Sequence, residues 1–263
     1  GNKGSSIDST TPFLGGSNGV LASFISGAPP EFVFDNGNYP FGISVKLENL
    51  GESGVAPEDG YVEIIGINPT DFGLASQSDF RRNFPTLIEG ARKNFDGAII
   101  PGGQAIVEFG ELRYIPDLHG NTDVIVRANL CYNYRTQTTT KVCIKGNLLR
   151  DITGGDVCVV NEDKSPQNSG GPVQIVELRE APIGTEKIQL TFKVAQTGEA
   201  AGNFYAISSS RCDNTVTNPQ KNVVFVNVKS DINGRMPRCD GLELPSADRA
   251  SGYVRLFDGA PRI

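Results

Sequence analysis

The chain has no tryptophan, one histidine and one methionine among its 263 residues, and each scarcity removes a class of chemistry. The single histidine, His119 in Pro116-Asp117-Leu118-His119-Gly120-Asn121, has no second imidazole with which to build a zinc site. A general base also needs a partner group, so His119 is read as an exposed loop residue. The lack of tryptophan argues against a carbohydrate-processing cleft, although paired carboxylates flanking a sugar need no fixed spacing. No Cys-x-x-Cys pair, phosphate-cradling glycine loop or His-Glu-x-x-His pair is present. No Asn-x-Ser/Thr acceptor has a permitted middle residue, because Asn68 precedes proline. No run of about 18 apolar residues occurs, so the sequence has no membrane-spanning helix. A net charge of −6 and a pI near 5.0 exclude a general affinity for nucleic acid.

What is abundant is glycine (31), proline (16) and the β-forming residues Val, Ile, Thr and Phe. That composition favours short strands joined by turns, an all-β chain long enough for two domains of roughly 100 to 150 residues. The clearest element is residues 40–52. Phe41, Ile43, Val45 and Leu47 share one face of a two-residue period while Gly42, Ser44, Lys46 and Glu48 share the other, and Asn49 and Gly51 end the run. Before it lie a mobile leader at 1–19, a strand at 20–25, the breaker Gly27-Ala28-Pro29-Pro30, and an apolar step at Phe32-Val33-Phe34 followed by the turn Asp35-Asn36-Gly37-Asn38. After it comes a strand at 61–67. The pattern then lapses from 70 to 103, a long insertion with one helical turn near 78–84. Strands return at 105–109 and 122–134, the latter with Val124, Val126, Ala128, Leu130, Tyr132 and Tyr134 on one face.

The five cysteines are Cys131, Cys143, Cys158, Cys212 and Cys239, a set that reads as disulfides in an oxidising compartment. If 122–134 and 141–145 form a hairpin centred near Gln137, Cys131 and Cys143 lie opposite each other and can bridge. Cys212 and Cys239 are the second candidate pair, and Cys158 is left unpaired. The chain begins Gly1-Asn2-Lys3, which suggests a processed or trimmed polypeptide.

From 172 the early pattern recurs. Val173 to Leu178 leads into Glu180-Ala181-Pro182, and then Ile188, Leu190, Phe192 and Val194 alternate with polar residues until Gly198-Glu199. A strand running into Ala-Pro and an alternating strand ending in Gly-Glu therefore occur twice, about 150 residues apart, which predicts tandem immunoglobulin-like β-sandwiches. The organisation expected is a leader at 1–19, sandwich 1 at 20–146 with its insertion at 70–103, a connector at 147–171 and sandwich 2 at 172–263. Later strands are expected at 222–229 and 251–257. Such a sandwich needs about seven strands and only about four or five are legible from Pro172 onward. The second module is thus incomplete, or completed by another chain.

Several stretches carry a family resemblance: Thr11-Pro12-Phe13-Leu14-Gly15-Gly16, Gly27-Ala28-Pro29-Pro30, Tyr39-Pro40-Phe41, Lys46-Leu47-Glu48-Asn49-Leu50-Gly51-Glu52, Cys158-Val159-Val160-Asn161-Glu162-Asp163-Lys164-Ser165 and Ser251-Gly252-Tyr253-Val254. Together they resemble a group of archaeal surface proteins from small-genome lineages. The strand ending in Glu-Asn-x-Gly-Glu is also similar to cell-adhesion-related (CARDB-type) immunoglobulin-like domains. The resemblance implies a secreted or membrane-anchored protein without known activity, and members that continue into a further cysteine-bearing strand, which would partner the odd cysteine.

The expectation is therefore a non-enzymatic extracellular structural or adhesive protein, a subunit of a cell-surface filament, coat or stalk. Its partners are copies of itself or other surface proteins, and Phe13 and Leu14 of the leader are the assembly residues. The alternative is a module binding a glycan or protein through Arg81, Arg82, Arg92 and Lys93, which sit near Phe80, Phe84 and Phe95 in the insertion. A secreted hydrolase with carboxylate chemistry is a weaker third reading. No cofactor is expected. Asp151, Asp156, Glu162 and Asp163 in the Gly-rich connector are the one set of oxygen ligands that calcium could use, and their spacing matches no calcium loop.

Overall fold

The structure is a computed structural model that describes residues 11–148, 158–198, 202–209, 212, 215–230, 237–257 and 260–261. It is mostly β, and the helices among the described residues are short 3-10 turns. The chain divides into two compact units, 1–135 and 136–263. Residues 136–146, expected in the first module, and the expected connector thus fall in the second unit.

The first unit holds β1 (Val20–Phe24), β2 (Phe41–Asn49), β3 (Gly60–Ile65), β4 (Arg81–Asn83), β5 (Arg92–Lys93), β6 (Ile99–Ile100), β7 (Gln104–Leu112) and β8 (Arg127–Tyr132). They form antiparallel sheets in the orders β1-β2-β7 and β4-β3-β8, with β5 and β6 as a separate hairpin. The alternation in β2 does what a one-sided sheet requires: Ile43, Val45 and Leu47 are fully buried, and Phe41 packs at the edge of the same cluster. Ala105, Val107, Phe109 and Leu112 of β7 join them, as do Val62 and Ile64 of β3. The spacing in β7 slips from two to three between Phe109 and Leu112. A bulge explains it, since Phe41 pairs with Leu112 and Ile43 with Phe109 while Glu111 adopts a φ of 61°.

Residues 70–103 are built into this unit. Phe72, Phe80 and Phe84 enter the core, and Phe72 stacks edge-on with Phe41, Phe80 and Tyr114. The helical turn expected near 78–84 is a 3-10 turn at Gln77–Phe80, closed by a reciprocal Ser76/Asp79 cap.

The second unit holds β9 (Thr138–Thr139), β10 (Glu162–Asp163), β11 (Gln167–Asn168), β12 (Val173–Ile183), β13 (Lys187–Gln196), β14 (Val223–Asn227), β15 (Ser251–Phe257) and β16 (Ala260–Pro261). Its sheets run β10-β12-β13, β14-β15-β16 and β11-β9. Each unit holds an antiparallel pair in the region of the expected repeat, β1 with β2 and β12 with β13, but Ala28-Pro29 follows β1 whereas Ala181-Pro182 lies inside β12. Burial on β13 is thinner than expected: Val194 is buried, Ile188 and Phe192 are half-buried, and Leu190 is exposed.

The cysteine pairing differs from both expectations. The neighbour of β8 is β3, with Cys131 opposite Tyr61, so no hairpin joins 122–134 to 141–145. Cys143 is instead bonded to Cys158, with a Cα separation of 5.6 Å. Cys131 and Cys212 each take part in a disulfide, and the free thiol is Cys239, not Cys158. The reason lies in the backbone of Cys143. Its N–H donates to both carboxylate oxygens of Glu180 on β12, at 3.1 and 3.0 Å, which fixes this segment on the second unit's sheet.

Candidate functional site

The residues best placed to act on something outside the chain lie at the two ends of β2 and along the edge of β1. At the C-terminal end, the side chain of Asn49 is buried and uses its whole hydrogen-bonding capacity. Its Nδ2 donates to the carbonyls of Ser53 (2.8 Å) and Ile88 (3.3 Å), and its Oδ1 accepts from the Gly51 N–H and the Tyr134 hydroxyl, both at 3.1 Å. Tyr134 in turn accepts from the Ser53 N–H at 3.2 Å, and Tyr132 accepts from the Val20 N–H at 3.1 Å. Burial, with the nearby Tyr132 and Glu52, pushes the Tyr134 phenol up to about 12, so it remains a donor to Asn49 at ordinary pH.

This knot fixes a turn whose next residue, Glu52, faces the N-terminal segment. Its carboxylate accepts from the N–H groups of Leu14 and Gly15, each at 3.0 Å. From the other side the Lys93 ammonium donates to the carbonyls of Thr11 and Phe13 at 3.1 Å and to Thr11 Oγ1 at 3.2 Å. One anion and one cation thus grip the backbone of residues 11–15. Four of the five contacts go to peptide groups, so the grip depends little on side-chain identity. Far from being mobile, the part of the leader that is described is docked, with Phe13 and Leu14 half-buried; residues 1–10 lie outside the described residues. Replacing Glu52 with glutamine removes one charge-assisted acceptor, and we expect cleavage within 11–19 by a nonspecific protease to speed up about tenfold at unchanged global stability, read by mass spectrometry of the fragments.

The β5–β6 hairpin rises from the same end. Its base touches the turn backbone to backbone: the Ala91 N–H donates to the Gly51 carbonyl at 2.8 Å and the Asn49 N–H to the Gly103 carbonyl at 3.0 Å. Gly90 and Gly102 permit this approach, because a Cβ on either would overlap the carbonyl of Glu52 or Asn49 respectively. At the tip Asn94 Oδ1 accepts from the N–H groups of Asp96 and Ala98, and Gly97 takes a φ of 79°. Phe95 stands on this tip fully exposed, with Ile99 and Ile100 also exposed below it.

At the N-terminal end of β2 the loop after the cis Ala28–Pro29 bond makes a shallow groove of about 430 Å³. Its lining includes Ala28, Phe32, Val33, Phe34, Tyr39 and Phe41. Phe32 is 78%, Phe34 63% and Tyr39 61% exposed. The loop is anchored, since the N–H groups of Asn36 and Gly37 donate to Pro116 and Tyr114 carbonyls, and Asp35 accepts from the Leu118 N–H.

The edge of β1 has a backbone logic of its own. The Leu50 N–H donates to the Gly19 carbonyl and the Ile25 N–H to Ser44, which places the odd-numbered residues of β1 in the hydrogen-bonded pairs with β2. The even-numbered ones point their backbone groups outward, and the Val20 N–H accordingly goes to Tyr132. Among the described residues β1 has a neighbouring strand on one side only, and Leu21, Ala22, Ser23 and Phe24 are all exposed.

The cations expected to form a ligand surface are engaged within the chain. Arg81 pairs with Glu63 at 3.1 Å and lies over Tyr61, and Arg82 donates to the carbonyls of Asp79 and Arg81. Arg92 is 3.8 Å from Glu89, and Lys93 holds the leader. His119 is exposed. Of the connector carboxylates, Glu162 pairs with Lys164 and Asp163 with Arg179, while Asp151 and Asp156 lie outside the described residues. No cluster of three or more potential metal ligands occurs among the described residues. Burial and the adjacent Asp240 push the free Cys239 thiol up, which disfavours the reactive thiolate.

The Asn49 knot, the Glu52–Lys93 grip and the groove aromatics were not read from the sequence as a site. Their only sequence signal is the Glu-Asn-Leu-Gly-Glu turn and the apolar Phe32-Val33-Phe34 step. Compared with known protein families, curated proteins and solved structures, the chain matches none.

Proposed function

We propose that this chain is a non-enzymatic, extracellular structural or adhesive protein of immunoglobulin-like sandwiches, a subunit of a cell-surface filament, coat or stalk whose copies join by strand pairing. The observation that carries the reading is the edge of β1. Edge strands that must stay single are usually blunted by charge, proline or cover. Val-Leu-Ala-Ser-Phe has neither charge nor proline, is exposed over four of its five residues, and turns the backbone groups of Ala22 and Phe24 away from β2. The disulfides support an oxidising compartment. The four cations named for the ligand-binding alternative each have a partner within the chain.

The test is Ala22→Pro. The Ala22 N–H faces away from β2, so proline there removes a donor that the ladder with β2 does not use, and extended backbone accepts it. The concentration needed for assembly should rise by at least about tenfold, read by sedimentation velocity, with the melting temperature held within about 2 °C. Unchanged assembly by a folded A22P variant overturns strand pairing through β1.

A further inference from the structure

We infer that the strand which pairs with β1 is β1 of a second copy, antiparallel about a twofold axis through Ser23. The inference rests on the reading of the chain as joining through β1 and narrows it, because such a contact is isologous and a filament or coat would then repeat in pairs. Every residue it uses lies in the first unit.

The hydrogen-bonding groups fix the register. Gly19 and Ile25 bond across to Leu50 and Ser44, so the N–H and carbonyl groups of Ala22 and Phe24 face away from β2, and they have no partner among the described residues. Antiparallel pairing sets outward groups opposite outward groups, so a symmetric ladder must be centred on a residue. Centred on Ala22 or any residue before it, a carbonyl would meet the Val20 N–H that the Tyr132 hydroxyl already holds at 3.1 Å. Centred on Phe24, Ala22 would meet Ser26, inside the turn that the Ala28 N–H closes on the Ile25 carbonyl at 2.9 Å. Centred on Ser23, Ala22 of each copy faces Phe24 of the other, and every backbone group of both residues finds a partner. The edge is thus its own complement.

The side chains agree. Ala22 and Phe24 lie opposite Leu47 and Val45, on the face of the sheet that is fully buried at those two positions, yet both are exposed, Phe24 at 38%. The apolar face therefore runs on to β1 uncovered, and the Ser23 register sets each phenylalanine ring beside the small Ala22 of the other copy. Pairing a strand with itself also doubles any charge it carries. β1 carries none, and Lys46 and Glu48 beside it neutralise each other at 3.1 Å.

Two five-residue strands bury less than the ~1,200 Å² of a self-sufficient interface, so the experiment traps the pair covalently in concentrated protein. In the full chain carrying Cys239→Ser, which removes the free thiol, Ser23→Cys brings two thiols into one non-hydrogen-bonded pair, with Cα atoms about 4.5 Å apart and within disulfide reach. Leu21 faces Ile25 of the second copy in this register, so the two Leu21 positions stand about 14 Å apart. Under mild oxidation, non-reducing electrophoresis should show Ser23→Cys dimers forming at least about tenfold faster than Leu21→Cys dimers, and A22P added to Ser23→Cys should abolish them. Phe24→Pro, whose N–H also faces away from β2, replaces A22P if the latter fails to fold. If A22P weakens assembly while Ser23→Cys cross-links no faster than Leu21→Cys, β1 pairs with a different strand: the inference falls and strand pairing through β1 stands. If assembly and the Ser23→Cys cross-link both survive A22P, strand pairing through β1 falls and the inference with it.

Discussion

Replacing Glu180 with alanine should destabilise the second unit by about 3–5 kcal/mol, the usual result of removing one member of a buried ion pair. Glu180 is fully buried, and its two oxygens accept the Cys143 N–H and face the Lys164 ammonium at 3.0 Å. Without it the amide of Cys143 and the largely buried ammonium both lose a partner, beside a cluster that among the described residues holds Cys143, Leu148 and Val160 with Cys158 and Ile188 packed against it. Calorimetry should show the transition of the second unit falling by about 10 °C while that of the first stays in place. Glu180→Gln should cost less, because an amide oxygen still accepts from Cys143. An unshifted transition for the alanine variant would contradict the role given to this pair.

The same site sets an alkaline limit. Burial pulls the Lys164 pKa down, but its bonds to Glu162 and Glu180 outweigh that and hold it above the ordinary lysine value of 10.5. A folded pKa raised above the unfolded one means that the stabilisation is complete below 10.5 and is lost as the pH rises through the folded value. Stability of the wild type should therefore decline at alkaline pH more steeply than that of Glu180→Ala, which has already lost the acceptor.

The second large effect is expected at Asn49. Alanine there strands two carbonyls, an amide N–H and a phenol in a buried setting, at a cost of about 2–4 kcal/mol. Asn49→Asp would be no remedy, since a carboxylate placed against the Ser53 and Ile88 carbonyls meets acceptors where an amide donated. Because the knot also holds the base of the β5–β6 hairpin, Asn49→Ala should speed amide exchange at Ala91 and Gly103 before the rest of the first unit, read by hydrogen exchange. Uniform exchange across the unit would show that the turn and hairpin are not one piece.

How much of this was legible varies with the kind of signal. β2, β3, β14 and β15 stand where alternation placed them. Residues 70–103 were opaque for a physical reason: 3-10 turns and two-residue strands have no period to detect, and their placement comes from Phe72, Phe80 and Phe84 entering a core made elsewhere. The cysteine pairing depended on which strand β8 would choose. β8 pairs with β3, and the amide of Cys143 is held by the carboxylate of Glu180, more than 30 residues away in sequence. Leu190 kept the right alternation but faces solvent, because period reports which side of a strand a residue is on and not whether that side is covered. The candidate site was least legible. Glu52 and Lys93 act on backbone, which leaves no motif, and Phe32 and Phe34 read only as an apolar step before a turn until their exposure is known.

The most direct test of self-assembly through β1 is to image native material under non-reducing conditions at a resolution that separates strands. Continuous sheet density running from β1 of one subunit into a strand of its neighbour is the expected result. Dispersed single copies, or polymers in which β1 faces solvent, would contradict it.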